Sequence, residues 1–208
     1  MKFYLLFYFL MLPFFGYCQM TNSELNTISK NLKDPKSLYF NDRLIFKFKM
    51  MPKSLDSLEA KHLYYGRNFI TNKVFTNDEV FVKLADAFQE GNYEQSIVLG
   101  KTVYVKDPTN LDVILILLRS YDYLKDANNF AHYITQLRLL TNAIKESGDG
   151  KSEKTAFVVN SVGDEYIFLN ILNVGQDFTR KSKATKDGMI DIWEKDDTKI
   201  YIKIIYLN

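Results

Sequence analysis

Apolar residues recur along the chain at two spacings, and the change of spacing divides it. From about 22 to 147 they fall three and four apart, which predicts helices. From about 155 to 208 they alternate or run together, which predicts strands. A short helix carrying Leu25, Ile28 and Leu32 starts at Asn22 or Ser23 and stops at Asp34-Pro35. Residues 37–51 give a looser stripe of Leu38, Leu44, Ile45, Phe48 and Met51, closed by Pro52; its KFKMM run also suits a strand. Ser54 or Asp56 then caps a helix through SLEAKHLYYG, with Gly66 as its stop.

The middle of the chain has the clearest period. Asn77 precedes a helix over 78–90, Gly91-Asn92-Tyr93 makes a tight turn, and a second helix over 94–106 is stopped by Asp107-Pro108. Leu111, Ile114, Leu115, Leu118 and Tyr121 share one helical face, and Phe130, Tyr133, Ile134, Leu137, Leu140 and Ile144 repeat that spacing. Four helices therefore form two antiparallel pairs. Beyond them, 156–159, 165–172, 189–194 and 199–207 are strand candidates. Lys195-Asp196-Asp197-Thr198 joins the last two as a hairpin, and the β-branched content of 199–207 disfavours a helix. No Pro/Gly/Ser linker intervenes. The expectation is a single α+β domain over 19–208, with a helical front and centre and a small antiparallel sheet ending in a hairpin.

The central pairs resemble tetratricopeptide units. Gly91-Asn92-Tyr93 sits at the inter-helix turn, Pro108 follows Gly91 by seventeen residues, and Ser96 stands where that repeat usually has Ala. Tyr121 and Ala131 hold matching points in the next unit, with one extra residue in the turn. The signature Trp is missing, and two units are fewer than the three that normally stand alone. The resemblance implies a hairpin pair inside a larger domain.

Residues 1–18, MKFYLLFYFLMLPFFGYC, change the picture of the whole. Lys2 followed by an uncharged apolar run from Phe3 to Phe15 reads as a secretory leader, short for a membrane span. Gly16 and Cys18 place cleavage before Gln19; an uncleaved anchor and a lipidated Cys18 are the alternatives, the latter opposed by bulky Tyr17. The chain has 208 residues, 47% hydrophobic and 25% charged, and a formal charge of +2. The leader holds one of its basic residues and its only Cys. What remains is near neutral, which gives no reason to expect nucleic acid or an anionic membrane as partner. One Cys and two His exclude a disulfide framework and a Cys/His zinc cage.

Three segments stand out in order: His62-Leu63-Tyr64-Tyr65-Gly66; Ser147-Gly148-Asp149-Gly150-Lys151-Ser152 leading to Thr155-Ala156-Phe157; and Asp164-Glu165-Tyr166. With the leader and the closing hairpin, they resemble domain-of-unknown-function family 4919, from about Asn22 to the end. The resemblance implies exported proteins of about this size, mainly from Bacteroidetes. It implies no activity and no catalytic residues.

The residues themselves offer little chemistry. Gly148 to Ser152 is no phosphate-binding loop: Lys145 occupies the first glycine position, and a helix precedes rather than follows. The better reading is a left-handed cap at Gly148 and a turn at Asp149-Gly150. Asp149, Glu153, Asp164 and Glu165 lack calcium-loop spacing. His62 and His132 belong to no nucleophile or zinc-protease motif and suit packing or capping. Arg180-Lys181-Ser182-Lys183 reads as a solvated basic loop, and Trp193 as core or edge cover. The ligand-facing candidates are Tyr64 and Tyr65, with Asp149 and Glu165 beside them; Tyr121 and Tyr123 are further candidates to line a concave face. No cofactor or metal is expected. The leading expectation is a non-enzymatic interaction module of the cell envelope, binding a protein or peptide. The alternative is an envelope hydrolase, which requires Asp149, Asp164 and Glu165 to converge in a pocket.

Overall fold

The computed structural model describes residues 20–206; the leader and its cleavage site lie outside them. Eight α-helices and four strands occur among the described residues: α1 (Asn22–Lys33), α2 (Asn41–Met50), α3 (Ser57–Gly66), α4 (Glu79–Gln89), α5 (Tyr93–Lys106), α6 (Leu111–Tyr123), α7 (Ala127–Lys145), β1 (Phe157–Val159), α8 (Val162–Ile171), β2 (Thr179–Thr185), β3 (Gly188–Lys195) and β4 (Thr198–Ile205). The protein is α+β, with most helices first and most strands last. No helix among the described residues is long and apolar enough to cross a membrane.

Local chemistry sets the helix starts. Thr21 and Asp56 open α1 and α3 with reciprocal capping boxes, closed by Glu24 and Glu59. Asn92, Asn110, Asp126 and Ser161 accept the free N–H groups of α5, α6, α7 and α8. Gly91 turns α4 into α5 at a φ of 74°, a conformation that suits glycine. Helices α4 to α7 pack each on the next in chain order, and α3 lies against α7. At Gly100 a side chain would meet Leu117 at 2.8 Å, so this glycine lets α5 close on α6.

The sheet order is β1-β4-β3-β2. The β3–β4 hairpin is the expected one, paired from Lys195↔Thr198 to Gly188↔Ile205. Three features differ from expectation. First, β1 joins β4 in parallel, Phe157↔Ile202 to Val159↔Ile204, so the sheet is mixed. Second, 165–172 is helix rather than strand. Ser161 caps α8, and burial on several sides (Asp164, Glu165, Ile167, Phe168, Leu169) removes the amphipathic period that marks a helix. Third, the basic stretch 180–183 is the edge strand β2, whose exposed positions give no apolar alternation; its register comes from backbone pairing with β3. Two glycine roles also shift. Gly66 stays in right-handed geometry, and its missing side chain makes room for Leu32, 2.5 Å from where a Cβ would stand. Gly148 is not left-handed either: the carbonyls of Thr155 and Ala156 lie 2.3 and 2.5 Å from its absent Cβ.

Candidate functional site

Tyr64 and Tyr65 lie on the inner side of α3, both 0% exposed. Neither ring faces solvent, so the ligand-facing role expected of them is not open in this arrangement. Their hydroxyls join the helical half to the β half. Tyr64 donates to Asp164 Oδ2 at 2.7 Å and accepts from the Asn160 N–H at 3.1 Å. Tyr65 donates to the Val158 carbonyl at 3.0 Å. Burial, then the Asp164 charge, push the Tyr64 phenol well above its ordinary pKa. Burial also raises the Asp164 carboxyl, opposed by Arg67 and Tyr64. Asp112, on α6, is pushed up to about 6 by burial and by the charge of Asp164. His62 is buried. Its ring stacks on Tyr39 at 3.9 Å, and its nitrogens meet Leu58 O and Asn31 Nδ2. Burial holds its pKa down.

One residue past α3, the chain presents Arg67. Its Nε and Nη2 contact both carboxylate oxygens of Asp107 at 2.7–3.1 Å, and Nη2 also donates to Val74 O at 3.1 Å. Asp107 is fully buried and accepts the Val74 N–H as well. Burial pulls the Arg67 pKa down, yet Asp107 more than offsets it and holds the cation above its usual value. Nη1 makes no hydrogen bond to protein among the described residues.

Arg67 lines a cleft of about 400 Å³. Leu32, Ile45, Leu63, Phe69, Ile70 and Val105 give it apolar walls, and Asn41, Thr71, Asn72 and Thr109 supply neutral polar groups. Its charged residues are Lys33, Arg67 and Lys106; no carboxylate lines it. The volume lies at the lower end of small-ligand sites, and the mixture of apolar walls with a few polar groups is typical of them. Little in the sequence marked this place. Lys33 and Lys106 end their helices, where a cation complements the dipole, and Asp107-Pro108 read only as a stop.

The acids of the hydrolase reading face three ways. Asp149 is a turn residue; hydrogen bonds from the Thr155 hydroxyl and the Lys151 N–H hold its carboxyl below the usual range. Asp164 faces Tyr64. Glu165, 0% exposed, accepts from the Trp193 indole at 2.7 Å. Arg180 reaches Glu165 at 3.6 Å and Asp191 at 2.5 Å. Burial, then the Asp191 charge against the pull of Arg180, push Glu165 up to about 7. Glu165 Oε2, Asp191 Oδ1 and Arg180 Nε have no hydrogen-bond partner among the described residues. Tyr121 is buried, whereas Tyr123 is 58% exposed and stacks on Tyr93 at 4.2 Å.

The structure is thus an α+β scaffold in which a cleft of mixed apolar and polar lining carries an arginine fixed from behind by Asp107. The family model described as Domain of unknown function (DUF4919) matches residues 26–208, and the chain belongs to that family. No curated protein and no solved structure matches it.

Proposed function

We propose that the protein is a non-enzymatic interaction module of the cell envelope, exported by cleavage of residues 1–18, and that a partner protein or peptide docks in the Arg67 cleft. The observation that carries this reading is the cleft itself: apolar walls, neutral polar groups and an arginine already fixed by a buried aspartate. In this reading α4 to α7 act as tetratricopeptide-like hairpins that hold the Lys106–Thr109 loop against α1 and α3. The hydrolase alternative gains no support. Its three acids engage different partners, and two of them are buried.

Crosslinking the full-length protein in cells, followed by recovery and mass spectrometry, tests the reading. The expected result is one dominant envelope protein, lost with Val105→Glu at the exposed rim, and a mature N-terminus at Gln19. Background proteins alone, or equal capture by the variant, overturn the docking site. An N-terminus at Met1 overturns cleavage of the leader.

A further inference from the structure

We infer that the cleft is built to take the C-terminal end of a polypeptide, with the terminal carboxylate against Arg67, Lys33 and Lys106; this rests on the docking reading above. Charge is the first ground. The lining holds three cations and no acid. Asp107 offsets Arg67 from behind, with Asp164 and Asp112 contributing from farther off, so the surplus lies on Lys33 and Lys106, neither of which has a carboxylate within salt-bridge distance among the described residues. The surplus suits an anion of low charge, such as a carboxylate.

Preorganisation is the second ground. Two guanidinium nitrogens are committed to Asp107 and Val74, which fixes the plane of the group. Nη1 is the nitrogen left to bond an arriving oxygen. A fixed guanidinium loses little side-chain freedom on binding, and charge-assisted bonds to carboxylate are about twice as strong as neutral ones. Shape and wall chemistry are the third. About 400 Å³ accommodates a short chain end, with an apolar last side chain against the walls. Asn41, Thr71, Asn72 and Thr109 are placed to serve its backbone groups. An internal Asp or Glu would instead have to lead two backbone directions out of the same space. Capture of a terminal carboxylate is a recurring mode of peptide recognition.

The probe is a mixture of hexapeptides randomised at the last three positions, half free acids and half C-terminal amides, passed over the immobilised full-length protein and read by mass spectrometry. Free acids ending in an apolar residue should be enriched at least about tenfold over their amides, as expected for a charge-assisted pair partly shielded from water. Lys33→Ala with Lys106→Ala, both exposed and safe for folding, should cut that enrichment several-fold; Val105→Glu should abolish it. Equal retention of acids and amides overturns the chain-end assignment, and so does retention of neither. An enrichment unchanged in the lysine pair variant also overturns it. The docking reading falls separately, only if the in-cell crosslink fails.

Discussion

Arg67 and Arg180 each meet a fully buried aspartate, one among the helices and one against the sheet, but the two neighbourhoods are finished differently. Around Arg67 the carboxylate is fully engaged and one guanidinium nitrogen is left over: Asp107 accepts from Nε, Nη2 and the Val74 N–H, Nη2 also satisfies Val74 O, and Nη1 has no hydrogen bond among the described residues. Around Arg180 the carboxylates are not fully engaged. A second acid, Glu165, shares the site, and three polar atoms lack hydrogen-bond partners among the described residues. The first cluster keeps its charges because each is paired, and so it can serve as a fixed wall for a cleft. In the second, burial and the neighbouring Asp191 charge push Glu165 up to about 7, and its arginine lies on an edge strand.

The largest expected effect breaks the closed cluster. Arg67→Met leaves the buried Asp107 carboxyl without its guanidinium partner, and should cost about 3–5 kcal/mol. Arg180→Met should cost about 1–2 kcal/mol, because Glu165, held up to about 7, can take up a proton. Urea denaturation of both variants measures the contrast, and equal losses would erase it. Next is Tyr64→Phe, which strips a buried carboxylate of its phenol donor and should cost about 1–3 kcal/mol; Tyr65→Phe, losing one bond to a carbonyl, should cost about 1 kcal/mol.

A pH series sharpens the difference further. Glu165 ionises near 4.5 when unfolded and about 7 when folded, so the folded state holds more protons between those values. Its contribution to stability is full below about pH 4.5 and is lost as pH rises through about 7. Glu165→Gln keeps an acceptor for Trp193 and needs no proton. It should match wild type at pH 5 and exceed it at pH 8 by on the order of 1 kcal/mol, a few degrees in Tm. The smallest effect is at the rim. Lys33→Ala with Lys106→Ala should change stability by no more than about 0.5 kcal/mol while weakening selection for free acids.

The helices of the front and the closing hairpin were legible because their apolar residues keep one period and their caps are local. Helix α8 was not, since several of its faces meet protein and the 3.6-residue signal vanishes. Strand β2 was not, since an exposed edge needs no apolar alternation. Among the candidate site residues, the segment around Tyr64 and Tyr65 was legible as a conspicuous one, but not its inward direction. Helical periodicity does not say which aromatic face meets the sheet. The cleft escaped notice because Lys33, Arg67 and Lys106 are distant in sequence and meet only through α1, α3 and α5.

The most direct test places a photo-crosslinking residue at Thr71, on the cleft, or at Ser182, on the edge of β2, in the full-length protein in its native cells. The account predicts one dominant adduct from Thr71, absent from Ser182 and lost when Val105→Glu is added. An adduct from Ser182 alone, or from neither position, would contradict it.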